Sequence, residues 1–245
     1  MTKLDDAYAN AAYIKDAEAY PAHWEKAAKS FRDSLGARAQ EGVSYGPSER
    51  QAFDFFQPEG VARGTMIFVH GGYWKAFDRS IWSHLATGAL ARGWAVAMPS
   101  YDLCPDVRIA DITRQIAAAV TRVADRTFGP LALAGHSAGG HLVCRMTDPL
   151  ILPSEIRERI KAIVPISPVA DLAPLMDTSM NEILHIDAAE ALDCLLHQTT
   201  TVILCTTSLC AIDVTGRQLR AASEKQSTRF TTNANAVRGR AFRGP

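Results

Sequence analysis

The 245-residue chain has no C-x-x-C pair, and its five cysteines, Cys104, Cys144, Cys194, Cys205 and Cys210, are odd in number. Together these facts argue against a disulfide framework and a structural zinc site, and free thiols are expected. Charge of one sign is also missing, since 26 Lys and Arg stand against 26 Asp and Glu. A chain without a net field has no long-range attraction for nucleic acid or an anionic membrane, so the expected partner is a small-molecule substrate. No stretch approaches the roughly 18 consecutive apolar residues that span a bilayer. The first residues, Met1-Thr2-Lys3-Leu4-Asp5-Asp6, are acidic and lack an apolar core. The combination predicts a soluble, cytoplasmic protein. There is no internal repeat, and no histidine follows His197.

What is present divides the chain into three parts. Residues 1–40 read as a packed helical arm. Tyr20-Pro21-Ala22-His23-Trp24 interrupts two helical stretches there, the second carrying Trp24, Ala27, Ala28, Phe31 and Leu35 at helical spacing. Residues 41–205 read as an α/β domain. Ala52–Phe56 is a strand, and from Thr65 apolar runs (Met66–Val69, Ala95–Met98, Leu131–Ala134, Ala162–Ile166) alternate with helical patterns. Those patterns carry Ile81, Leu85 and Ala89, then Ile112, Ile116, Val120 and Val123, then Ser154–Lys161. Such alternation predicts a mostly parallel sheet with helices on both faces. Residues 206–245 form a basic tail rich in Thr and Arg, a composition that cannot bury a core and predicts disorder.

The chemistry centres on Gly135-His136-Ser137-Ala138-Gly139. A short apolar strand enters it and a helical pattern, Gly140-His141-Leu142-Val143-Cys144, leaves it. That is the strand–turn–helix setting of a nucleophile elbow, with glycines where side chains would collide with neighbouring backbone. Ser137 is the candidate nucleophile, and the Ala138 N–H, at a helix N-terminus, is a candidate oxyanion donor. Upstream, His70-Gly71-Gly72-Tyr73-Trp74 follows the strand ending at Val69, and its small residues let the Gly71 and Gly72 amides face the same oxyanion. The competing structural reading makes both glycine clusters ordinary turns and Ser137 an ordinary helix cap. His136 and His141 flank the elbow without a carboxylate at ligand spacing, so no metal is expected.

These two motifs, in this order, resemble the arylformamidase (kynurenine formamidase) and carboxylesterase branch of the α/β-hydrolases. Ala19-Tyr20-Pro21, Tyr45-Gly46-Pro47, Pro99-Ser100-Tyr101 and Ile166-Ser167-Pro168-Val169-Ala170-Asp171-Leu172 fit the same family, and the similarity runs over about residues 5–190. The resemblance implies an α/β-hydrolase fold and cofactor-independent hydrolysis of an aryl formamide or ester. It implies Ser137 as nucleophile, and Gly71, Gly72 and Ala138 as oxyanion hole. It also implies an aromatic-lined pocket, for which Tyr73, Trp74 and Tyr101 are candidates; core packing is the alternative for each.

The chain departs from the family where the remaining triad members belong. Serine needs a base, and the base an acid, in the order Ser, Asp or Glu, His. The candidate strand Thr201–Cys205 is followed by Thr206-Thr207-Ser208 with no acid, and Asp213 comes late. Of the downstream histidines, His141 lies one helical turn from Ser137 and is expected to support the elbow. His185 and His197, with Asp171 or Asp187, lack the expected topological position. Acid and base are therefore unassigned. From about residue 192 the sequence is foreign to the family, as if the reading frame had changed or the domain end had been replaced. Incomplete C-terminal strands and helix are expected. The second functional reading is accordingly a catalytically impaired hydrolase-fold protein that binds a small ligand, or a disrupted product.

Overall fold

In a computed structural model, residues 3–195 are described. Helix α1 (Lys3–Tyr8) and two 3₁₀ turns lead into α2 (Tyr20–Leu35). Pro21 does not interrupt this helix. It sits in the first turn, where its missing N–H costs nothing. Strand β1 (Ala39–Ser44) crosses the expected arm boundary at residue 40, because Ala39 and Gln40 pair with Phe56 and Phe55 of β2 (Ala52–Phe56). The described residues all belong to one compact unit.

Then follow β3 (Thr65–Val69), α3 (Thr87–Leu90), β4 (Ala95–Pro99), α4 (Ile109–Arg126), β5 (Leu131–His136), α5 (Ala138–Arg145), α6 (Ser154–Arg159), β6 (Ile160–Ile166), α7 (Asn181–Leu184) and α8 (Ala188–Asp193). The helix expected to carry Ile81, Leu85 and Ala89 is instead two 3₁₀ turns before the short α3. Helix α6 stops at Arg159, and Ile160 already pairs with Leu131 of β5. The sheet order is β1-β2-β4-β3-β5-β6. Pairings β1/β2 and β2/β4 are antiparallel; β4/β3, β3/β5 and β5/β6 are parallel.

Residue alternation along the central strands sends two sets of side chains to opposite faces. Ile67, Val69, Ala95, Ala97, Leu131 and Leu133 join Ile112, Ile116, Val120 and Val123 of α4, the stripe read from the sequence, and Leu142 of α5. Phe56, Phe68, Val96 and Met98 face Phe31 and Leu35 of α2. The arm is therefore the cover of one sheet face. Trp24 of α2 packs on Trp82 with ring centroids 4.9 Å apart, and Phe31 meets Phe56 edge-on at 5.6 Å. Asp54, in the middle of β2, accepts from Arg79 Nε at 2.8 Å and from the Gly42 N–H at 2.9 Å.

Among the described residues β6 forms one edge of the sheet, and most of its side chains are half-exposed. The candidate strand Thr201–Cys205, the tail 206–245, His197 and Asp213 lie outside the described residues.

Candidate active site

Strand β5 delivers the chain to Ser137 at the open end of the parallel strands, and α5 begins one residue later. Ser137 has φ 54° and ψ −117°, a conformation that costs a non-glycine residue about 1–3 kcal/mol and persists only when its surroundings over-determine it. They do so here. Its N–H donates to Ile166 O at 2.9 Å, and its carbonyl accepts from His141 N at 3.1 Å and Val169 N at 3.4 Å. The turn also needs bare backbone on both sides. A Cβ on Gly135 would stand 2.2 Å from Gly139 O, and one on Gly139 would stand 2.1 Å from Val69 O. The local sequence thus folds into an elbow because only glycine permits these approaches.

The loop after β3 closes on the elbow. A Cβ on Gly71 would lie 3.1 Å from Ser137 Cβ and 2.9 Å from His136 O, so this backbone runs directly beside the serine. Gly72 follows with φ 114°, accessible essentially to glycine alone. Ala138 is fully buried as the first residue of α5, where backbone N–H groups have no acceptor four residues earlier. Gly71 and Ser137, with their chain neighbours Gly72 and Ala138, therefore occupy adjoining loop ends.

The aromatic candidates separate. Tyr73 is half-buried, and its hydroxyl donates to Tyr8 O at 3.3 Å while Asn10 Nδ2 approaches it at 3.5 Å. Trp74 and Tyr101 are both fully buried in the core. Trp74 packs edge-on against His141 with centroids 5.4 Å apart. Tyr101 stacks on His70 at 4.5 Å, and its hydroxyl donates to His70 O at 3.0 Å. Their aromatic surface holds the two motif histidines in place.

Those histidines are structural. His141 Nε2 donates to Cys194 O at 2.9 Å, and burial, reinforced by the Arg145 charge, lowers its pKa to about 4. His70 Nδ1 lies 2.7 Å from Gly71 O, and burial likewise takes it to about 4. Both are neutral when folded, whereas unfolded imidazoles titrate near 6.5. With the folded pKa below the unfolded one, the unfolded chain takes up protons first as pH falls. Stability is then complete above about pH 6.5 and declines toward about pH 4. Urea unfolding at pH 5 is expected to give a free energy lower than at pH 7 by about 2 kcal/mol per histidine. A His141→Asn background should retain roughly half of that difference.

Of the other triad candidates, the two aspartates are engaged elsewhere. His185 is exposed in a left-handed conformation at the end of α7. Asp187 caps α8 by accepting from Glu190 N, and it pairs with Arg108 at 2.8 Å. Asp171 accepts from Ala173 N at 2.9 Å. Among the described residues no histidine is hydrogen-bonded to a carboxylate, and no three His, Cys, Asp or Glu side chains converge as metal ligands. Sequence reasoning missed the N-terminal contacts around Tyr73, which link residues too far apart in the chain for any local pattern to report.

Comparison with known proteins places these features in context. The profile of the α/β-hydrolase fold family matches residues 66–211. The chain is 31% identical over 133 residues to a kynurenine formamidase of Drosophila melanogaster, covering 51% of this chain and 44% of that protein. It is 27% identical over 156 residues to a kynurenine formamidase of Salmo salar, covering 61% and 52%. The chain thus spans about half the length of the curated relatives it matches. A crystal structure from Silicibacter sp., provisionally described as a thioesterase, is 57% identical with a TM-score of 0.78, covering 80% of this chain and 74% of that one. No helix among the described residues is long and apolar enough to cross a membrane.

Proposed function

The chain belongs to the α/β-hydrolase fold family, and we propose that it is a serine hydrolase of the arylformamidase or esterase type acting on a small ester or aryl formamide. In this reading Ser137 Oγ attacks the acyl carbon and the new Oγ–C bond makes an acyl-enzyme. The alcohol or arylamine departs with a proton, and water then releases the acid. The tetrahedral oxyanion is received by the amides of Gly71, Gly72 and Ala138, worth about 10²–10³ in rate per donor in other serine hydrolases. The observation that carries the reading is the strained Ser137 backbone with Gly71 packed against the side chain. Kinship to the formamidases and to the Silicibacter protein supports acyl substrates, thioesters among them.

A second reading, a hydrolase fold that binds its ligand without efficient turnover, is favoured by a separate observation. His141 is committed to Cys194, His70 to Gly71 and Asp187 to Arg108. Loss of the base costs about 10⁶ in kcat in serine proteases. A fluorophosphonate probe decides between the two. Labelling confined to Ser137, lost in Ser137→Ala together with aryl-ester hydrolysis, is the expected result; an unlabelled, folded protein would establish the second reading.

A further inference from the structure

The residue before Ser137 also faces the glycine loop. His136 ends β5, and a Cβ on Gly71 would lie 3.2 Å from His136 Nδ1 and 3.1 Å from Ser137 Cβ. One imidazole nitrogen, the serine side chain and the loop therefore converge on a single point. His136 is exposed and Ser137 half-buried, so solvent reaches both residues. His70 and His141 differ, since each is buried with one ring nitrogen committed to a backbone carbonyl. The His136 ring has no hydrogen-bond partner among the described residues. Partial burial against the loop lowers its pKa below the ordinary imidazole value. At neutral pH the ring is thus uncharged and able to take a proton.

From this convergence we infer that His136 is a catalytic residue, which carries the proton of Ser137 to the leaving group. The inference rests on the reading of Ser137 as nucleophile. As the Oγ–C bond forms, the imidazole takes the Oγ proton and the carbonyl electron pair moves onto oxygen. As the oxyanion collapses and the C–O or C–N bond breaks, the imidazolium gives that proton to the departing alcohol or amine. Water then repeats the sequence on the acyl-enzyme and leaves Ser137 protonated again. Among the described residues no carboxylate fixes the tautomer of this imidazole, unlike that of a triad histidine. Losing the orienting acid costs about 10⁴ in kcat in a serine protease, and losing the base about 10⁶. A histidine without its acid is therefore slow, yet still worth about 100-fold.

The test follows aryl-ester kcat/KM of the full chain against pH. It should rise through a pKa below the imidazole value of about 6.5 and then level off. His136→Ala should lower the plateau about 100-fold, erase that limb and regain rate when imidazole is added to the buffer. His136→Gln fills the site without titrating, so it should stay as slow as the alanine variant. Full activity in either variant would overturn the inference. A second measurement needs no turnover. In protein with Cys205 and Cys210 replaced by serine, and with Cys104, Cys144 and Cys194 buried, Ser137→Cys places one accessible thiol at the site. Its alkylation by iodoacetamide at about pH 6 should slow about tenfold or more when His136→Ala is added, because a neighbouring imidazole draws the proton from sulfur. An unchanged rate would likewise overturn the inference. If Ser137→Ala turns over the ester normally while the alkylation still depends on His136, the hydrolase reading fails and the contact between the two side chains stands.

Discussion

Gly139→Ala is expected to be the most destabilising single-methyl change at the elbow. Its Cβ would lie 2.1 Å from Val69 O and 2.5 Å from His70 O, and both atoms are backbone at the end of β3 that cannot rotate away. Relief requires α5 to move off the sheet, which would break the contacts holding Ser137 at positive φ. Overpacked sites usually lose 1–3 kcal/mol, and a backbone clash on this scale should cost about 3 kcal/mol or more. Against a total stability of about 5–15 kcal/mol, that is a large fraction. The measurement is a urea unfolding curve followed by circular dichroism, with a lowered midpoint and an unchanged slope. Gly88→Ala is the matched control. Its nearest neighbour would be the mobile end of Arg92 at 3.7 Å, inside α3, so alanine there should be neutral or slightly stabilising.

Gly71→Ala should separate activity from stability. The added methyl would meet His136 O at 2.9 Å and Ser137 Cβ at 3.1 Å, a milder crowding than at Gly139 that still forces the loop away from the end of β5. The fold tolerates such a shift. An oxyanion donor does not, because its value depends on lying about 2.7–3.1 Å from where the negative charge develops. The expected outcome is a fall in kcat for aryl-ester turnover of about 10²–10³, with KM nearly unchanged, since the lost interaction belongs to the transition state. The Tm should drop by only a few degrees. Rates of fluorophosphonate labelling should fall in parallel, because phosphonylation passes through the same oxyanion. A variant that turns over normally would remove this loop from the chemistry.

The two glycine variants differ because the sequence places both glycines at close approaches, while the neighbours decide the consequence. Gly139 faces backbone at 2.1–2.6 Å, whereas Gly71 faces one backbone oxygen at 2.9 Å and two side-chain atoms at 3.1 and 3.2 Å. The same division holds across the molecule. The elbow was legible because a short apolar strand, a Gly-x-Ser-x-Gly turn and a helix are consecutive in the chain. Helix α4 was legible because Ile112, Ile116, Val120 and Val123 repeat at its period. For Trp74 and Tyr101 the sequence leaves pocket lining and core packing both open, because a buried aromatic and a lining aromatic look alike in a one-dimensional pattern. Only the packing of Trp74 on His141 and of Tyr101 on His70 distinguishes them.

The N-terminal contacts had no local signal at all. Asp5 and Ser179 are 174 positions apart, and Tyr8 and Tyr73 are 65 apart. By itself, the sequence determined the α/β order of elements, the glycine-bounded turn at Ser137 and the glycine pair beside it, since steric limits on backbone act between near neighbours. The tertiary structure alone decided that Pro21 opens a helix, that His70 and His141 are held neutral by burial, and that α1 meets Tyr73 and Ser179. Burial and the meeting of distant segments are properties of the folded surface, and no window of the chain contains them.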